Sequence, residues 1–186
     1  MKKKIIITGG LGYIGTELCK LYSGVSWHHK IVVIDNRFIS ERVNQIRNWN
    51  MEFIHGDILD KNLIKKFCED ADVVHHLAGV TDVPRTKSEV SLVQDKKIKE
   101  VGERGTQNIL DVISNKCKII FPSTHVVYEG INEVKKDIQE NEKTKPVLSY
   151  STSKAINEEQ LKKSGKNYVI LRLGSVYGYS TDSMRI

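Results

Sequence analysis

Thr8-Gly9-Gly10-Leu11-Gly12-Tyr13-Ile14-Gly15 is the segment that most restricts how this chain can fold. It follows a short apolar run, residues 3–8, and leads into an amphipathic stretch, residues 12–23. In that stretch Ile14, Leu18 and Leu21 are predicted to share one helix face. Glycines at 9, 12 and 15 permit a tight strand-to-helix turn and close packing of the two elements. They also let backbone N–H groups approach a pyrophosphate, and the helix N-terminus adds a partial positive charge. A glycine-rich pattern alone is weak evidence. Its strand–turn–helix setting is what raises it.

The same alternation continues along the chain. Residues 30–35 (KIVVID), 52–55, 71–77, 117–122 and 168–173 read as further strands. Residues 61–67 and 150–163 read as helices. A long helix is predicted over 88–113, with Val90, Val93, Ile98, Val101, Ile109 and Val112 as its apolar stripe. Strands alternating with helices predict a parallel sheet with helices on both faces. Right-handed crossovers then make it an α/β, Rossmann-like doubly wound sheet of order 3-2-1-4-5-6. The length, 186 residues, suits one such domain and not two. The charged stretch 129–145 reads as a surface loop, with at most a short helix, bordering the site.

Asp35 ends the second strand, 20 residues after Gly15. A carboxylate there accepts hydrogen bonds from the adenosine ribose hydroxyls and repels a 2′-phosphate, which favours NAD over NADP. Arg37, two residues on, keeps NADP open. Tyr150 and Lys154 form YxxxK, so both side chains lie on one helix face. A tyrosine titrates at about 10 when unperturbed, and a nearby ammonium lowers that value and makes a usable base. Roughly one YxxxK match is expected by chance in a chain this rich in lysine, so the spacing alone says nothing. Its position does. It opens the helix after strand five, at the edge where an α/β sheet presents ligands, and Ser123 and Thr124 close strand five at that edge.

Several classes are disfavoured. The net charge is +6, but the basic residues are dispersed and not interleaved with aromatics, so no nucleic-acid partner is expected. No run of about 18 apolar residues exists, so no membrane span is expected. The basic start lacks the apolar core of a signal peptide. Cys19, Cys68 and Cys117 have neither disulfide nor zinc spacing, which fits a reducing cytoplasm. Trp27-His28-His29 makes a poor joint metal ligand, and no metal site is expected. His75 and His76 are predicted to point to opposite faces of their strand.

The sequence resembles an extended short-chain dehydrogenase/reductase of the NAD-dependent epimerase/dehydratase group, whose members act on nucleotide sugars. The motifs that carry the resemblance run in order along almost the whole chain. They are TGGLGYIG (8–15), VIDN (33–36), GDILD (56–60), HHLAG (75–79), RGTQNIL (104–110), FPSTHVVY (121–128), PVLSYSTSK (146–154) with Glu158, and LRLGSVYG (171–178). The resemblance implies that Gly9, Gly12, Tyr13, Ile14 and Gly15 hold the NAD pyrophosphate, with Asp35 and Asn36 at the ribose. Asp57 and Ile58 would contact the adenine, and Leu77, Ala78 and Gly79 would line the cofactor path. Tyr150 is implied as the acid/base, Lys154 as ribose ligand and modulator of Tyr150, and Thr124 as the catalytic hydroxyl. Ser123 and the stretch 173–176, beginning at Leu173, would approach the nicotinamide end. The long helix implies a homodimer.

Departures narrow the function. Sugar 4,6-dehydratases of this group carry Thr-Asp-Glu after strand five, where this chain has Thr124-His125-Val126. Val126 cannot transfer a proton, so dehydration is disfavoured, and so is decarboxylation of the type that keeps a glutamate there. His125 is either an extra acid/base or a strand-end histidine. Gly102 stands where asparagine is usual, and Ser175 replaces the asparagine of the LRxxNVYG motif. Both substitutions predict a lost supporting contact. Members of the group carry a further C-terminal substrate lobe. That lobe is expected beyond Ile186, with this chain a piece of a longer protein. The expected activity is NAD-dependent epimerisation of a nucleotide sugar. The alternatives are a dehydrogenase or reductase with net cofactor turnover, and a non-catalytic NAD-binding protein.

Overall fold

β-Branched runs build the sheet because both faces of each central strand are covered, which favours continuous isoleucine and valine over alternation. The strands are β1 (Lys4–Thr8), β2 (Lys30–Asp35), β3 (Glu52–His55), β4 (Val73–His76), β5 (Lys118–Thr124) and β6 (Asn167–Leu173). All neighbours are parallel, in the order β3-β2-β1-β4-β5-β6 that the sequence predicts. The structure is a computed structural model that describes residues 2–81, 92–133 and 136–178. β4 is shorter than the predicted 71–77. β5 instead runs two residues past its predicted end, beyond its pairing with β4. Pro122 lies past the last residue of β5 that pairs with β4, where the missing N–H interrupts no β4 ladder.

Ile6, Val32, Ile34, Ile119 and Phe121 face one core. They pack there against Ile64 and Cys68 of α3 (Lys61–Cys68), Ile109 of α5 (Gly105–Val112) and Leu161 of α6 (Ser149–Lys163). Ile5, Ile7, Ile31 and Val33 face the other core, against Cys19 of α1 (Tyr13–Ser23) and Val43 and Ile46 of α2 (Ser40–Asn48). Asp60 caps α3, its carboxylate accepting from the N–H groups of Asn62 and Leu63.

Three expectations need correction. The face α1 buries is Gly15, Leu18, Cys19 and Tyr22, whereas Leu21 is 78% exposed and Ile14 borders solvent. The helix turns Gly15 and Cys19 fully to the sheet because it must pack close at Gly15. The long helix is not continuous: α4 (Leu92–Lys99) passes through a π-helical turn, Glu100–Arg104, into α5. Of its predicted stripe, Ile98 and Ile109 are buried, Val101 and Val112 are partly buried, and Val93 is 81% exposed. Residues 88–91, with Val90, lie outside the described residues. Finally, α2 was not predicted. Its composition is polar, and it shows the core only Arg42, Val43 and Ile46.

Two glycines decide helix packing. At Gly15 an added Cβ would stand 2.4 Å from the Gly9 carbonyl oxygen and 2.6 Å from Gly10 Cα. At Gly102, in the π turn, it would stand 2.2 Å from Ser153 Oγ. Asn157 of α6 also donates to the Gly102 carbonyl at 3.1 Å. The glycine in place of asparagine therefore lets α6 approach the π turn closely.

The 129–145 segment forms no helix among its described residues. Its ends are joined by Gly130 N–H donating to Lys145 O at 2.9 Å and Lys145 N–H to Val127 O at 2.8 Å. At its start, the Glu129 carboxylate accepts from the N–H groups of Val147 and Leu148 and from the Ser151 hydroxyl. These bonds cap the N-terminus of α6. Partial burial pushes the Glu129 carboxyl up, but Ser151, Leu148 and Val147 together outweigh it and hold it below its ordinary value.

Gly15→Ala is expected to cost roughly 1–3 kcal/mol, because the Gly9 and Gly10 backbone it would meet cannot yield. Urea unfolding checks this, with Gly24→Ala as a neutral control whose nearest atom is 4.0 Å away. Glu129→Ala is expected to cost about 1 kcal/mol at neutral pH, the ordinary worth of a cap. Since the Glu129 carboxyl is lowered in the folded chain, this difference is complete above about pH 4.3 and shrinks as the pH falls through the folded value. Parallel unfolding curves from pH 7 to pH 3 measure it.

Candidate active site

The chain leaving β1 runs toward β2 and the chain leaving β4 runs toward β5, so the two part company between these neighbouring strands. This is where a doubly wound sheet opens a crevice. A cleft of about 780 Å³ lies there, within the range that holds a cofactor-sized ligand. Every cofactor and catalytic residue predicted above lines it, from Gly9 and Asp35 at one end to Thr124, Tyr150, Lys154 and Leu173 at the other.

The glycine loop is built by its own backbone. Gly9 takes φ +70°, and its N–H donates to Ile34 O at 2.8 Å. A Cβ on Gly9 would meet Ala78 N at 2.6 Å, so the loop lies directly against the chain leaving β4. The buried Asp35 carboxylate accepts from Leu11 N–H and Arg37 N–H, both at 2.9 Å, and ties the loop to the end of β2. Each oxygen keeps a further lone pair for a ligand. Arg37 Nε also approaches Asp35 at 3.5 Å. No side chain caps α1 at Gly12, so the first-turn N–H groups of Tyr13, Ile14 and Gly15 have no intrahelical partner. An uncapped helix start behind a glycine turn, with a buried carboxylate one strand away, fits the phosphate and ribose of a dinucleotide. Farther along, Asn36 donates to Asp57 at 2.9 Å, while Asp57 accepts from Leu59 N–H at 2.9 Å.

At the other end Tyr150 and Lys154 stand one turn apart on α6. The Lys154 ammonium donates to Pro122 O at 2.8 Å, lies 4.4 Å over the Phe121 ring, and is 5.9 Å from the Tyr150 ring. Burial lowers the Lys154 pKa to about 8, a fall that Glu158 opposes. Burial raises that of Tyr150, so the lowering expected from the YxxxK spacing is not present in this arrangement. The Thr124 side chain accepts from Val126 N–H at 3.2 Å. Ser123 lines the cleft, but its hydroxyl donates to Glu158 at 2.6 Å.

The histidines separate. His125 is exposed, bonds Leu173 O through Nδ1 at 3.1 Å and does not line the cleft. His75 and His76 do point to opposite faces: His75 meets Tyr22 OH at 2.8 Å, and His76 lies between Thr8 Oγ1 at 2.9 Å and Thr106 Oγ1 at 3.0 Å. Burial, aided by Lys154, brings His76 down to about 3, so it is neutral. Among the described residues no group of three or more His, Cys, Asp or Glu could hold a metal ion, and no helix is long and apolar enough to cross a membrane. Sequence reasoning missed Gln94, Lys97 and Val101, which line the cleft from α4 and the π turn. They belong to no motif, and only the docking of that helix brings them there. It also missed Arg42, which reaches from α2 to the Leu11 carbonyl.

Known proteins are similar in sequence and in fold. The chain is 29% identical to dTDP-D-glucose 4,6-dehydratase of Dictyostelium discoideum, over 95% of this chain and 44% of that protein. It is 31% identical to UDP-glucose 4-epimerase of Neisseria meningitidis serogroup C, over 86% of this chain and 47% of that protein. The crystal structure of UDP-glucuronic acid 4-epimerase from Bacillus cereus in complex with NAD superposes with a TM-score of 0.74. That match has 27% identity and covers 94% of this chain and 57% of that one. The chain thus spans about half the length of the relatives it matches. A model of the NAD dependent epimerase/dehydratase family matches residues 5–186, and on that match, together with the sheet order and the cleft, the chain belongs to the NAD dependent epimerase/dehydratase family.

Proposed function

We propose that this chain forms the NAD-binding and acid–base part of a nucleotide-sugar epimerase. The observation that carries this reading is the joining, in one cleft, of the glycine loop and Asp35 with Thr124, Tyr150 and Lys154. Tyr13, Ile14 and Gly15 would hold the pyrophosphate through their backbone, and Asp35 with Asn36 the adenosine ribose. Asp57 and Ile58 would flank the adenine, with Leu77, Ala78 and Gly79 along the path. NAD is favoured over NADP because the buried carboxylate of Asp35 would repel a 2′-phosphate, while Arg37 is already paired with it.

When bound, NAD supplies a two-electron hydride acceptor that can also return the hydride. The chain's own residues handle the proton. Tyr150 takes it from a sugar hydroxyl, at C4 in the commonest case, and returns it to the same oxygen when the keto group is reduced from the opposite face. Thr124 holds that oxygen by a hydrogen bond. The Lys154 ammonium favours the phenolate through its charge as the proton moves. Val126 is apolar and does not line the cleft, so it cannot make the proton transfer that the glutamate of this position makes in water elimination. The named relatives include both dehydratases and epimerases, and Val126 is the residue that favours the second.

The protein is further proposed to work as a homodimer in the cytoplasm. Exposed Leu92 and Ile156 on α4 and α6 support the first, and three free buried cysteines support the second.

Incubation of the protein and NAD with UDP-, GDP- and dTDP-sugars is expected to give a new sugar signal in NMR with no net NADH absorbance. Stoichiometric NADH would instead identify a dehydrogenase, and bound NAD with no change in any sugar would point to a non-catalytic role. Tyr150→Phe is expected to lower turnover by roughly 10²–10⁴-fold, the usual worth of a general acid/base, while NAD affinity measured by calorimetry stays within about threefold.

A further inference from the structure

Arg37 lines the cleft beside Asp35, yet none of the roles above gives its guanidinium a ligand. It stands two residues past the end of β2. Its backbone N–H donates to Asp35 Oδ1 at 2.9 Å, and its side-chain Nε lies 3.5 Å from the same oxygen. The side chain is thus held by one edge. Among the described residues, Nη1 and Nη2 make no hydrogen bond or ion pair. A further contact fixes where that free edge lies: a Cβ added at Gly12 would stand 3.7 Å from Arg37 Nη2. Gly12 immediately precedes α1, so the guanidinium rests against the uncapped start of that helix.

A guanidinium is planar, always charged, and carries its donors in a fork that matches the oxygens of a phosphate. The same end of the cleft is lined by two carboxylates, Asp35 and Asp57. A phosphate brought to α1 meets the partial positive charge of the helix start, but also the negative charge of Asp35. Arg37 spans the two, with Nε toward Asp35 and Nη2 toward Gly12. The other cations lining the cleft are placed differently. Lys154 is bonded to Pro122 O at the far end, and Lys97 comes from α4.

We infer that Arg37 is a phosphate ligand of the cofactor site: its free Nη edge donates to an oxygen of the pyrophosphate that the start of α1 receives, and its charge screens that oxygen from Asp35. This inference rests on the reading of the glycine loop as a dinucleotide site. A 2′-phosphate would instead sit on the ribose, at the Asp35 carboxylate, whereas the free edge of Arg37 lies against Gly12.

Ligands that differ in phosphate test this. Calorimetry gives the dissociation constants of NAD and NADP, and saturation-transfer NMR follows adenosine, which has no phosphate. Arg37→Gln is expected to weaken NAD and NADP alike by about tenfold, as for a charge-assisted bond at a half-exposed site, and to leave adenosine unchanged. Arg37→Lys keeps the charge without the fork and is expected to recover part of the loss. No loss for NAD overturns the inference, and a loss confined to NADP overturns it in favour of a 2′-phosphate contact. An equal loss for adenosine also overturns it, because the substitution then acts on the shape of the pocket. Inorganic pyrophosphate separates these outcomes from the cofactor reading. Titrated into the wild type, it is expected to shift the amide NMR signals of residues 12–15 and the Arg37 Nε signal, with about tenfold weaker binding in Arg37→Gln. Pyrophosphate bound in this way by a wild type that binds no NAD removes the cofactor reading and leaves the Arg37 inference standing. Equal pyrophosphate affinity in wild type and Arg37→Gln overturns the inference.

Discussion

The approach of α1 to the end of β1 is the constraint on which the rest of the site depends. The Gly9 carbonyl occupies the place a Gly15 side chain would need, and Gly9 in turn leaves no room for a Cβ beside Ala78. These contacts let the N-terminus of α1 rest directly on the loops that leave β1 and β4. Any larger residue would lift the helix, and its unpaired N–H groups would no longer face the cleft. Asp35 then locks the arrangement from the neighbouring strand through Leu11, and Arg42 holds the same residue by its carbonyl. One turn of backbone is thereby fixed from β2, from α2 and from the β4 exit.

The far end of the cleft is organised by charge. Glu158 is buried and Lys154 and Arg172 are partly so, and each finds partners within the protein. Lys154 finds the Pro122 carbonyl, and Glu158 finds Arg172 and Ser123. His76 avoids the difficulty by remaining neutral between two threonine hydroxyls. The result is a rigid edge of β5 against which α6 carries Tyr150. The Glu129 cap secures the first turn of that helix, immediately before the tyrosine.

Much of this was legible in the sequence. The six strands were readable because β-branched runs between glycines and polar turns have few other uses in a parallel sheet. The cleft residues were readable because each sits at the end of a strand or in the first turns of the helix that follows it, where the topology sends them to one edge. The exceptions share a cause. α2 hides in a polar segment whose few buried positions include an arginine, and the buried face of α1 is hard to read because its two fully buried residues, Gly15 and Cys19, are small. The π turn at Gly102 has no hydropathy signature and follows from the nearness of Ser153 and Asn157.

By itself the sequence determined the fold class, the strand order and the position of each candidate residue along the chain. Those follow from local periodicity, from glycine geometry and from the handedness of crossovers, all written in short stretches of residues. Only the tertiary structure decided which charges meet. That Lys154 bonds a backbone carbonyl, that Ser123 serves Glu158, and that His125 lies outside the cleft depend on contacts 32, 35 and 48 residues apart in the chain. Electrostatic energy depends on distance and burial in space, and neither is encoded in any one segment.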